Sequence, residues 1–203
     1  MSSKNPIPRL NIVNVGYDST NYYVLADTAP RLLIDIGFPG TLGKLLHECK
    51  RMGLQLKDIK HLLATHYHPD HAGAAQELKD LGVKLIVLES QSDSIPLLKT
   101  YMKPEQRYQD INLHDNLLLD FADSRAFLAK IGIQGEIIST PGHSDDSVTL
   151  VLDDGSAFTG DLTPPFAATE DTLEMIQAGW AKIRSAGGKT IYSGHAPAWQ
   201  LLD

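Results

Sequence analysis

The stretch HLLATHYHPDHAG, residues 61–73, narrows most what this chain can fold into. An apolar run of strand length (61–65) ends directly on three histidines and an aspartate, and AGAAQELKDLG (72–82) then reads as a helix with Gly82 as its stop. Imidazoles at the end of a strand stand where a rigid scaffold hands over to a loop, which is where chemistry is placed. His66 and His68 are two apart, so an extended segment points both the same way. Pro69 biases His68 away from helical geometry and suits the first turn of the helix that follows. That turn sends Asp70 and His71 in a new direction. One short segment can therefore face two ions.

The rest of the chain supplies partners. His143 follows STPG, Asp161 ends the run AFTG and His195 ends the run IYSG, each where an apolar run gives way to a loop. Five of the eight histidines thus fall at such ends, whereas His47, His61 and His114 read as incidental. His143 completes a first set with His66 and His68, and His195 completes a second with Asp70 and His71. Asp161, with two carboxylate oxygens, can bridge both. Imidazole and carboxylate without thiolate suit Zn²⁺, Mn²⁺ or Fe²⁺. The single cysteine, Cys49, lies on the apolar face of a helix over 41–52 and reads as a buried structural thiol, with no disulfide possible.

Around these residues the hydrophobic period alternates between two and 3.6. LNIVNVG (10–16), NYYVLAD (21–27) and RLLIDIG (31–37) read as antiparallel strands, with a turn at TAP (28–30), and KLIVLES (84–90) as a buried strand. Residues 90–131 are irregular, with a short helix in SIPLLKTYM, strand or loop in INLHDNLLLDF and helix in ADSRAFLAKIG. Strands return at 135–142, 147–154 and 155–161, with Asp154-Gly155 as a hairpin turn. The last helix places Leu173, Ile176, Trp180 and Ile183 on one face, with Asp171 and Glu174 spaced as a capping box, before a strand at 189–195.

Two mixed sheets face to face with helices outside would bury all of these faces, an α+β sandwich. The 203 residues suit a single domain, 1–203. A net charge of −7 without a basic stripe argues against a nucleic-acid partner. No stretch approaches the roughly 20 apolar residues of a membrane span. MSSKNPIPRL has no apolar leader core, so a cytoplasmic location is the default. The oligomeric state is left open.

HYHPDH (66–71), TPGHS (140–144), FTGD (158–161), SGHAP (193–197) and LLIDIG (32–37) together resemble, in order, the motifs of the metallo-β-lactamase superfamily, from about residue 12 to 197. The resemblance implies an αββα sandwich with metals at one edge of the two sheets. It assigns His66, His68 and His143 to one metal and Asp70, His71 and His195 to the other, with Asp161 bridging. Asp35 matches a strand-end acid that orients the site from behind. The small glyoxalase II-like members are nearest in ligand set. The only cysteine lies elsewhere and Asp161 takes the bridging place, so antibiotic hydrolysis is a poor expectation.

The expected function is a binuclear metal-dependent hydrolase of a small-molecule ester, thioester or lactone, with two divalent ions, Zn²⁺ first and Mn²⁺ or Fe²⁺ next. A hydroxide bridging the ions would attack, with Asp70 both ligating and accepting a proton. The alternative is a mononuclear iron oxygenase resembling persulfide dioxygenases, using His66, His143 and Asp161. Residues 95–115 and 162–170 are expected at the pocket rim, with Tyr17, Phe38 and Phe166 as candidate walls.

Overall fold

The computed structural model describes residues 10–27 and 30–202. The readings of the extreme N-terminus and of most of the TAP turn lie outside these residues.

The first sheet runs in the order β1 (Asn11–Asn14), β2 (Tyr23–Ala26), β3 (Pro30–Ile34), β4 (His61–Leu63), β5 (Lys84–Leu88), β6 (Leu117–Leu119). β1 to β3 pair antiparallel and β3 to β6 pair parallel. Alternation assigns the faces. Leu25, Leu32, Ile34, Leu63, Ile86 and Leu88 turn to one side, while Val24, Leu33, Leu62, Leu85 and Val87 turn to the other. The second sheet has the order β11 (Trp199–Gln200), β10 (Thr190–Ser193), β9 (Ser156–Gly160), β8 (Val148–Leu152), β7 (Gly135–Ser139). It is mixed, with β9 and β10 parallel.

Val148, Leu150, Leu152 and Phe158 of the second sheet meet the inner face of the first. On the outer side of the first sheet lie α1 (Leu42–Arg51), with Leu45 and Cys49 buried, and α3 (Ala75–Asp80), with Ala75 and Leu78 buried. The second sheet carries α5 (Leu173–Ser185) through Ile176, Trp180 and Ile183. The architecture is therefore the expected αββα sandwich, two mixed sheets flanked by helices. Among the described residues no helix is long and apolar enough to cross a membrane.

Three expectations need correction. The helix read over 72–82 is two pieces, α2 (Pro69–Ala72) and α3, because the Ala74 amide turns to the Gly37 carbonyl (2.8 Å) instead of continuing the ladder. Asp171 and Glu174 form no capping box. The N-cap is Thr172, without a side-chain cap, and its hydroxyl is taken up by Thr169. Leu173 is not on the buried face but 39% exposed. The irregular 90–131 stretch resolves into a 3-10 segment (Ile95–Tyr101), β6 and α4 (Phe121–Lys130).

Cys49 is 1% exposed, and burial pushes its thiol pKa up to about 11, with Glu48 adding to the effect. The thiolate needed for exchange chemistry is therefore scarce at neutral pH. A disulfide-exchange reagent at pH 8 is expected to spare the native protein and to label one thiol per chain in denaturant. Rapid labelling of the native state would show this face to be open.

Candidate metal centre

β4 ends at Leu63, and the chain bends at Thr65 and His66 before His68, whose backbone is extended at φ −101 and ψ 159. His66 and His68 face the same way with ring centroids 4.6 Å apart, and Tyr67 between them turns into the core, 2% exposed. Pro69 opens α2, which lifts Asp70 and His71 onto a different side. β7, β9 and β10 of the second sheet deliver His143, Asp161 and His195 at their ends. Glycine is required at two of these exits. A Cβ at Gly160 (φ +53) would strike the Thr65 hydroxyl, and one at Gly194 would strike Asp161 Oδ1 and stand 2.6 Å from His71 Cε1.

The seven residues read from the sequence come together in three overlapping groups: His66, His68 and His143; His66, His71 and Asp161; and Asp70, His71 and His195. Within each group the donor atoms lie within 4.8 Å of one another. Asp161 stands between the two ends, with Oδ1 3.3 Å from His71 Nε2 and Oδ2 3.2 Å from His195 Nε2 and 3.7 Å from His143 Nε2. Asp70 Oδ2 faces His195 Nε2 at 3.2 Å.

Each of three imidazoles is held from behind through Nδ1: His66 by the Thr65 hydroxyl (3.1 Å), His71 by Asp35 (2.9 Å) and His195 by the Ser19 carbonyl (2.9 Å). This leaves every Nε2 aimed into the centre. Asp35, 2% exposed and at φ 62, also accepts from the Thr65 amide (2.6 Å) and hydroxyl (2.9 Å). The two donor loops are stitched together below the site. Asp146 accepts from the Tyr67 amide (2.8 Å), and Gln91 donates to the carbonyls of Ala64 (3.0 Å) and Asp146 (3.3 Å). The sequence reading missed this pair, since nothing local marks a buried glutamine.

The donor set fits divalent metal. His66 Nε2, His71 Nε2 and Asp161 Oδ1 are buried and, among the described residues, have no hydrogen-bond partner, although buried polar atoms are nearly always satisfied. Electrostatics agree. Burial and the surrounding histidines drive His66 well below the usual imidazole range. At His71 burial also works downward, but Asp35 and Asp161 prevail and hold it up at about 10. Burial would raise the Asp161 carboxyl, yet the facing His71 imidazole (3.3 Å), with those of His195 and His143, holds it below its ordinary value. A proton on His71 thus occupies the attractive field that a cation would occupy. Loading metal at pH 8 is expected to expel at least one proton per chain, read by calorimetry in buffers of different ionisation enthalpy. Heats independent of the buffer would show His71 to be neutral already.

A cavity of about 320 Å³ opens beside the centre, lined by His143, Asp161 and His195 together with Trp180, Ile191 and Trp199. Of the expected rim only Leu162 and Pro164 line it, and Tyr17, Phe38 and Phe166 do not. Phe166 projects outward, 90% exposed, and Tyr17 is engaged by Thr41 (2.9 Å) and the Tyr22 ring. Part of the 95–115 segment lines a separate hollow of about 230 Å³. Tyr101 from that segment does reach the centre, edge-on to the His68 ring at 5.2 Å.

Two mixed sheets flanked by helices, with imidazoles and carboxylates gathered at one edge, define a sandwich that carries a candidate metal centre. The chain belongs to the metallo-beta-lactamase superfamily, whose sequence model matches residues 15–195. It is similar to the "Beta-lactamase-like protein 2 homolog" of Drosophila melanogaster, 28% identical over 185 residues, covering 87% of this chain and 58% of that protein. It is also similar to the "Atrochrysone carboxyl ACP thioesterase" of Aspergillus fumigatus, 30% identical over 182 residues, covering 87% of this chain and 50% of that one. The chain thus spans little more than half the length of these curated relatives. Among solved structures, the BLEG-1 B3 metallo-beta-lactamase shares the fold with a TM-score of 0.70 at 20% identity, covering 95% of this chain and 94% of that one.

Proposed function

We propose that the protein is a hydrolase that holds two divalent ions, zinc foremost, and cleaves an ester, thioester or lactone of a small molecule. The observation that carries this reading is the pair of donor sets, His66–His68–His143 and Asp70–His71–His195, with Asp161 between them. The thioesterase name of the Aspergillus fumigatus relative favours thioesters among the three bonds. When bound, such ions supply an acidified water as nucleophile and a Lewis acid for the carbonyl. The residues prepare the rest. Asp35 and the Ser19 carbonyl fix imidazole tautomers. Asp161 orients both sets, and Asp70, 3.2 Å from His195 Nε2, would take the proton of the attacking water. The donor groupings follow this pattern more closely than the His66, His143 and Asp161 set of a single-iron oxygenase.

Elemental analysis of protein purified without added metal tests the reading, together with a thioester, ester and lactone panel under argon. Two zinc or manganese ions per chain with oxygen-independent hydrolysis are expected. About one iron per chain, with oxygen consumed on persulfides, would replace the hydrolase with the oxygenase.

A further inference from the structure

The outer face of the second sheet does more than seat α5. Along β9 and β10 the side chains alternate, Ala157 and Ile191 facing α5 while Phe158 and Tyr192 face the first sheet. Beyond them the register shifts, with Ser193 pairing to Gly160, and Thr159 and Ser193 are both among the residues of the 320 Å³ cavity next to the centre. Its other walls are mainly apolar: Leu162, Trp180, Ile191 and Trp199, with the two indoles 5.4 Å apart. Two hydroxyl oxygens of residues in this wall, Thr159 Oγ1 and Ser193 Oγ, are buried and, among the described residues, have no hydrogen-bond partner. Thr159 is 2% exposed. An apolar pocket with a few convergent polar groups is the ordinary form of a small-molecule site.

We propose that this cavity receives an apolar acyl or aryl group of the substrate, with the Thr159 and Ser193 hydroxyls directed to one hydrogen-bond acceptor on that group. The proposal rests on the hydrolase reading, because three residues of the candidate centre, His143, Asp161 and His195, also line the cavity. The volume admits on the order of ten non-hydrogen atoms at about 30 Å³ each. The reaction served is the addition of water across a carbonyl–oxygen or carbonyl–sulfur bond. A C–O bond forms to the water oxygen, the bond to the leaving oxygen or sulfur breaks, and a water proton ends on the leaving group. The apolar product is then a carboxylate, which also serves as a probe.

The chain has two tryptophans and both stand in this wall, so their fluorescence reports occupancy without any turnover. Titration of metal-free and metal-loaded protein with butanoate, hexanoate and octanoate is expected to change the emission. Affinity should rise about fourfold per methylene until the cavity is full. Trp199→Phe and Trp180→Phe assign the signal, with thermal melts to confirm that each variant is folded. 4-Oxo-4-phenylbutanoate is expected to bind about threefold to tenfold more tightly than 4-phenylbutanoate, and Thr159→Val to erase that advantage. In matching thioesters kcat/KM should climb with the same chain-length slope. A flat series with unchanged emission overturns the pocket, and the hydrolase reading survives if thioesters are still cleaved. Chain-length-dependent binding without hydrolysis by any metal form supports the pocket and overturns the hydrolase. A ketone advantage that persists in Thr159→Val overturns the role given to the hydroxyls.

Discussion

Exchange of Asp161 for asparagine is expected to cost the protein at least one bound ion per chain and at least about a hundredfold in hydrolysis, since even outer partners of metal ligands are worth roughly 10–100-fold. The replacement keeps shape and removes two things. It removes the negative charge that, with Asp35, holds a proton on His71. It also turns one of two acceptor oxygens into an N–H donor facing an imidazole Nε2 that must keep its lone pair. Whichever way the amide turns, one of the two histidine sets loses its partner. Because the side chain is isosteric and its strand exit is fixed by Gly160, the fold should survive with a melting temperature close to that of the parent. Metal analysis and kcat/KM on the same preparation decide the matter. A full complement of ions with undiminished turnover would remove Asp161 from the centre.

Two substitutions of Asp35 are expected to part company. Asparagine tolerates the left-handed backbone at φ 62 and can still accept from the Thr65 amide. Its amide N–H₂ then confronts His71 Nδ1 and drives the imidazole to the tautomer with hydrogen on Nε2, the wrong side for a cation. Metal affinity of the Asp70–His71–His195 set should fall roughly 10–100-fold while the fold remains. Valine loses all three hydrogen bonds at a buried position, at about 1–3 kcal/mol for each orphaned group. A β-branched residue at this φ adds strain of about 1–3 kcal/mol. The sum approaches the ~5–15 kcal/mol that holds an ordinary domain together, so Asp35→Val should be recovered unfolded or insoluble. Urea titration of both variants and zinc competition on the asparagine variant test this. Equal zinc affinity in Asp35→Asn and the parent would show that Asp35 serves the fold alone.

Much of the architecture is legible in the sequence because burial writes itself locally as a period. Leu32, Leu33 and Ile34 alternate between two cores, and so do Leu85 to Leu88, which is why these runs read as strands covered on both faces. The histidines were legible for a related reason, since each ends such a run. What escaped depends on contacts distant in sequence. The break at Gly73–Ala74 is made by a carbonyl of residue 37, which no helical period reports. Trp180 reads as core by its spacing, yet one side of it closes a cavity with Trp199, which sits on a two-residue edge strand too short to announce itself. Asp146 and Gln91 are polar letters in loops, and only the folded chain shows that they tie two ligand-bearing segments together.

The donor loops also lie on opposite sides of the molecular seam. His66, His68, Asp70 and His71 leave the first sheet, whereas His143, Asp161 and His195 leave the second. A cation gripped by both is then a rivet between layers, and folding and loading become one linked equilibrium. A concentration a hundredfold above the dissociation constant adds about 2.7 kcal/mol to unfolding. Chelation should therefore loosen the sandwich first along this edge, where amide exchange would quicken at Val148, whose N–H donates to the Thr65 carbonyl (2.8 Å) and joins the sheets directly behind the centre. The apparent robustness of this protein in a cell would then track its metal supply as closely as its temperature.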